Sequence, residues 1–118
     1  MDAAALRRLA LALPEVEEYE HGDLPAFRVR GKRFATMLDE HGVNLMLDEE
    51  GIHAAVACWP TACRPRLFGG RIAALRMDYP SMPEQAVRDL LDEAWARRAP
   101  RRLLASRAGE SPPGAPHG

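Results

Sequence analysis

The stretch Pro25–Asp39, PAFRVRGKRFATMLD, alternates apolar and basic residues around a single glycine, a pattern that specifies a β-hairpin. With Gly31-Lys32 as the central pair of a type II′ turn, whose first position takes φ > 0, Arg30 opposes Arg33 and Val29 opposes Phe34. Arg28 then opposes Ala35, and Phe27 opposes Thr36. One face of this predicted hairpin carries Phe27, Val29, Phe34, Thr36 and Leu38 and has to be covered. The other carries Arg28, Arg30, Arg33, Ala35 and Met37 and is suited to meet a polyanion.

The cover comes from amphipathic helices elsewhere in the chain. Asp2 is a natural cap for a helix over 3–13 whose buried stripe is Leu6, Leu9, Ala10 and Leu13, stopped by Pro14. An acidic connector follows, with Glu15, Glu17, Glu18 and Glu20 around Val16 and Tyr19, and His21-Gly22-Asp23 turns the chain into the hairpin. Beyond Glu40-His41-Gly42, a third strand over 43–47 points Val43, Leu45 and Leu47 inward. Asp48 caps a helix over 49–59 with Ile52, Ala55, Val56 and Trp59 at helical spacing, and Pro60 ends it. Within 61–70 only Arg66-Leu67-Phe68 reads as a short edge strand, before Gly69-Gly70. Residues 71–79 form a clearer strand, with Leu75 and Met77 on one face and Arg76 on the other.

Ser81 and Glu84 have the spacing of a capping box for the last main helix, whose stripe is Val87, Leu90, Leu91, Ala94 and Trp95. Ala99-Pro100 breaks that helix, and Leu103-Leu104 suggest a short docking turn. The order is α-β-β-β-α-(β)-β-α. It predicts an α+β domain over 1–107, an antiparallel sheet of four to five strands with its N- and C-terminal helices packed on one face. Residues 108–118 are rich in Pro, Gly and Ser and are expected to form a disordered tail.

At 118 residues with 47 % hydrophobic and 28 % charged side chains, the chain can bury a core without metal or disulfide staples. No apolar run approaches the ~20 residues of a membrane span, and Arg7-Arg8 interrupt the apolar N-terminal segment, so a cytoplasmic location is expected. Cys58 and Cys63 are expected to be free thiols. The net charge of −1 gives no basic excess. Residues 1–60 hold six basic and eleven acidic side chains, and 61–118 hold ten and six. Any polyanion site is therefore a local patch. Lys32 is the only lysine.

Taken in order, EVEEYEHG, PAFRVRGKRFATM, VNLML, the Asp48-Glu49-Glu50 helix start, RIAALRMD and EQAVRDLLDEAWARRAPRRLLA resemble the MmcQ/YjbR family of small bacterial proteins over about residues 3–105. The resemblance implies a compact domain related to secretion-chaperone-like or double-wing folds, and DNA binding. It carries no catalytic residues.

The residues themselves offer one surface and little chemistry. Arg28, Arg30, Lys32 and Arg33, joined by Arg76, form the candidate nucleic-acid-binding set, because a two-stranded ribbon fits a major groove and guanidinium groups suit phosphates. The alternative is a solvated face whose arginines pair with Glu15, Glu17, Glu18 and Glu20. His41, His53, Cys58 and Cys63 lack metal-ligand spacing, and His53 and Cys58 are five apart, off one helix face, so neither a metal site nor a Cys/His nucleophile pair is expected. His21 sits beside Glu20 and Asp23 without a second catalytic group placed by sequence. No phosphate loop or dinucleotide fingerprint occurs. The expectation is a DNA-binding or regulatory protein, non-enzymatic and without cofactor, monomeric or weakly dimeric. The alternative is a protein-interaction module that binds a partner or itself through the exposed sheet face, with Met37 and Met46 on it.

Overall fold

The computed structural model describes residues 1–109. Six antiparallel strands form one sheet in the order β1-β2-β3-β4-β6-β5, where β1 is Val16–His21, β2 Leu24–Val29, β3 Lys32–Met37, β4 Gly42–Leu45, β5 Cys63–Phe68 and β6 Arg71–Asp78. Helices α1 (Ala3–Leu11), α2 (Glu49–Cys58), α3 (Glu84–Arg98) and α4 (Arg101–Gly109) complete the chain. None of the described helices is long and apolar enough to cross a membrane.

The helix caps follow the sequence. Asp2 accepts from the Ala5 amide at 2.8 Å and Asp48 from the Gly51 amide at 2.8 Å, each satisfying an otherwise unpaired amide of a helical first turn. At α3 the expected capping box does not form. Tyr79–Ser81 wind into a 3-10 turn, the Ser81 hydroxyl donates to Asp78 at 2.9 Å, and Pro83 takes the cap position without a side-chain bond. Where a short turn was expected after Pro100, α4 runs for nine residues and buries Leu103. It takes in residues 108 and 109; the rest of the expected 108–118 tail lies outside the described residues.

α1, α2 and α3 pack against the sheet on one face. Phe27, Val29, Phe34, Val43, Leu45, Leu75 and Met77 meet Leu6, Ile52, Val87, Leu91 and Trp95 there, all at 0–2 % exposure. Trp95 donates its indole N–H to the Pro14 carbonyl at 3.0 Å, which ties α3 to the corner between α1 and β1.

The hairpin differs from its expected geometry in two ways. Its central pair is Arg30-Gly31, with φ of 52° and 80°, so the turn starts one residue early and both central residues are left-handed, as in a type I′ turn. A β-bulge then adds one residue to β3: Arg28 opposes Arg33, but Phe27 opposes Ala35, leaving Phe34 in excess. The bulge reverses the phase of β3. Ala35 and Met37 are buried on the covered side, while Thr36 and Leu38 go to the open side, the reverse of a strict alternation.

The sheet has six strands where four to five were expected, and the added one is β1, which lies in the expected acidic connector. Its three glutamates are poor strand formers, yet the segment pairs along its whole length with β2, from Val16 opposite Val29 to His21 opposite Leu24. On the other edge, β5 takes in Cys63-Arg64-Pro65 as well as Arg66-Leu67-Phe68. Pro65 is tolerated because an edge strand has no second neighbour to bond. A second irregularity, between Arg66 and Leu67 in their pairing with β6, sends Ala73 to the open side and Ile72 to the core.

Phe34 and Phe68 mark the two environments. Phe34 is fully buried and Phe68 is 78 % exposed. Phe34→Ala is expected to lower unfolding free energy by about 3–5 kcal/mol. Phe68→Ala is expected to change it by no more than ~0.5 kcal/mol. Urea titrations with equal m-values test both.

Candidate functional site

With the helices on one side, the other face of the sheet is free, and its charges are unevenly satisfied. The acidic strand β1 pairs with the basic residues nearest to it. Arg28 donates to Glu17 at 2.8 Å and stacks over the Tyr19 ring at 4.3 Å. Arg30 donates to Glu15 at 3.0 Å, and Arg102 approaches the same carboxylate at 3.6 Å. Glu15 and Arg30 are the two non-glycine residues with positive φ among the described residues, so this ion pair joins the two left-handed corners. On the covered side Arg7 holds Glu18 in a two-pronged bond at 2.6 Å, which holds the Arg7 guanidinium protonated above its ordinary range.

The five basic residues expected to form one patch are therefore divided. Arg28 is paired with Glu17 of β1 and Arg30 with Glu15 just before that strand. Lys32 is exposed at the hairpin tip, opposite Val29. Of the five, Arg33 borders the middle of the open face and Arg76 a smaller hollow beside it. Arg33 donates to the Thr36 hydroxyl at 3.3 Å. The Arg76 side chain lies over Gly42, where a Cβ would come within 2.7 Å of its guanidinium; the missing side chain is what leaves it room.

The alternation Arg64-Pro65-Arg66-Leu67-Phe68, once the strand extends to Cys63, adds Arg64, Arg66 and Phe68 to this face. A period-2 reading of 63–68 contains them; the proline and glycines around the segment obscured it. Arg64 lies directly opposite Arg76 across β5 and β6. Like charges placed so are unfavourable unless something anionic comes between them. Among the described residues, neither these two nor Arg33 nor Arg66 has a carboxylate within 4 Å. Arg64, Arg76, His41 and Thr61 border a hollow of about 290 Å³, which Asp78 also touches.

A larger hollow, about 470 Å³, occupies the centre of the open face. Thr36, Asn44 and Ala74, all buried, form its floor, and His21, Arg33, Met46, Arg66 and Phe68 stand around it. Asn44 lies on β4 between Thr36 and Arg76. It is 8 % exposed, and its side-chain carbonyl oxygen has no hydrogen-bond partner within the described residues. His21 ends β1 at this rim, with its ring 6.3 Å from that of Tyr19, edge to face.

Other titratable groups serve the fold. Asp39 accepts from the His41 and Gly42 amides, both at 2.8 Å, and these bonds hold its carboxyl below the usual range. Tyr79 donates to the Asp39 carbonyl at 3.0 Å, and burial raises its phenol. Among the described residues, no three His, Cys, Asp or Glu side chains are grouped to hold a metal ion.

A family model described as YjbR matches residues 11–97, from the end of α1 almost to the end of α3. No curated protein matches the chain.

Both cysteines are free, Cys58 exposed and Cys63 buried, with burial pushing the Cys63 thiol up to about 11. The thiolate is the reactive form, so Cys63 is protected twice over. Maleimide at about pH 7 is expected to label one thiol in the folded protein and both in denaturant, with peptide mapping placing the native label on Cys58.

Proposed function

The chain belongs to the YjbR family, and on that premise we propose that it is a cytoplasmic, non-catalytic nucleic-acid-binding protein, DNA being the first partner to test. The binding surface is the open sheet face rather than the hairpin tip. One observation carries the reading: Arg33, Arg64, Arg66 and Arg76 border the helix-free face without a carboxylate within 4 Å among the described residues, while the arginines beside β1 are paired. Guanidinium groups without a close carboxylate, held on a sheet, are ready to exchange water and counterions for phosphates. The near-neutral total charge makes the interaction local, so it gains little from long-range steering, and its salt dependence is set by the few phosphates that these arginines neutralise.

A second reading is supported by Leu67 and Phe68, adjacent on edge strand β5 at 57 % and 78 % exposure. An exposed apolar edge suits a protein partner or a second copy of the chain. Sedimentation velocity over a hundredfold range of concentration tests the self-association form of that reading; a constant monomer mass removes it.

For nucleic acid, anisotropy titrations of a labelled oligonucleotide at about 50 mM and about 200 mM salt are expected to show affinity falling as salt rises. The double variant Arg64→Ala/Arg66→Ala is expected to weaken binding roughly tenfold and to reduce the log–log salt slope by about 2. Arg28→Ala/Arg30→Ala is expected to change affinity less than about twofold, since those side chains line neither hollow and each has a carboxylate partner. A dissociation constant weaker than ~1 mM at low salt, or no salt slope, overturns the proposal.

A further inference from the structure

We propose that the large hollow on the open face is a pocket for one unstacked base of a single-stranded polynucleotide. This deepens the nucleic-acid reading and rests on it.

Three independent features converge on that occupant. Phe68 is 78 % exposed at the rim, although the other two phenylalanines are at 0–1 %. An aromatic ring held out in solvent beside a hollow is a platform on which a base can stack, whatever its identity. The floor holds Asn44, more than nine-tenths buried on a central strand, with a carbonyl oxygen that no protein group satisfies among the described residues. That oxygen is shut off from solvent, so the amide nitrogen is the end of the side chain open to the hollow, a donor suited to a ring nitrogen or carbonyl oxygen on a base edge. The walls carry Arg33 and Arg66 from opposite sides, placed for the phosphates that flank a base.

Size and surroundings narrow the choice further. The volume of about 470 Å³ lies in the range of small-molecule pockets, ~300–1,000 Å³. A duplex keeps its bases paired and stacked, so it would meet only the arginine rim and leave Asn44 unsatisfied. An apolar peptide would bury Arg33 and Arg66 against nothing of opposite charge. A polynucleotide also accounts for the second hollow, because Arg76 stands beside Asn44 in the β4–β6 register and faces Arg64 on the next strand. An adjoining phosphate there relieves the repulsion between those two arginines.

The test compares four ligands by anisotropy or competition: a labelled single-stranded 12-mer (about the span of one binding domain), the same strand made entirely of abasic sites, the corresponding duplex, and a free nucleoside monophosphate. The base-bearing strand is expected to bind at least about tenfold tighter than the other three. Phe68→Ala, at a position outside the core, is expected to weaken binding of the base-bearing strand about 5- to 150-fold and to leave the abasic strand unchanged. The Asn44 side-chain amide resonance is expected to shift with the first ligand only. Equal binding of the abasic strand or the duplex, or an unaffected Phe68→Ala variant, overturns the base pocket while the polyanion reading stands. Tight binding of the monophosphate alone would make the occupant a free nucleotide and overturn the polynucleotide. Failure of all four ligands to bind at low salt overturns both readings together.

Discussion

The extra residue at Phe34 governs the two faces of this protein. By letting Phe34 and Ala35 both oppose Phe27, the bulge keeps the phenyl ring in the core and still turns Thr36 and Leu38 outward. Without it, the second half of β3 would present Ala35 and Met37 to solvent and force a threonine hydroxyl under the helices, where nothing apolar could satisfy it. The floor of the central hollow also depends on that phase, because Thr36 pairs with Asn44 across β3 and β4. One local irregularity thus serves both the core and the site.

One-sided coverage is the second constraint. An antiparallel sheet can keep one face in water provided that face carries polar groups, and here it carries arginines in preference to the mixed charges usual on such surfaces. The acidic residues are spent at the margins: Glu17 on Arg28, Glu15 on Arg30, Glu18 on Arg7. The centre and the β5 edge are left with guanidinium groups among small residues, Gly42, Ala73 and Ala74, which give them space. Rigidity comes from beneath, where Trp95 and Phe27 fill the space between sheet and helices.

α1, α2 and the body of α3 were legible because caps and periodicity act locally, whereas α4 and the start of α3 were not. Asp2 and Asp48 bond within three residues of themselves, and stripes such as Val87, Leu90, Leu91, Ala94 and Trp95 need only the helical repeat to be recognised. The strands that escaped depend on distant partners. β1 is held by pairing with β2 and by arginines from α1 and β2, so its glutamates hide it from propensity. β5 is concealed by Pro65, which only an edge position allows. Bulges leave no compositional trace, so the faces beyond Phe34 and before Ala74 could not be phased by counting. Arg33 and Arg76 were identified from alternation alone, whereas Arg64, Arg66, Phe68 and Asn44 join the site through strand neighbours remote in the chain.

Lys32, the chain's one lysine, stands exposed at the hairpin tip and lines neither hollow. Any chemistry that needs an ε-amine, whether acylation, reductive methylation or attachment to an activated support, converges on that tip. The cationic character of the open face belongs to guanidinium groups, which amine reagents leave untouched. Tethered through Lys32, the molecule would be held by the end of its hairpin with that charge intact.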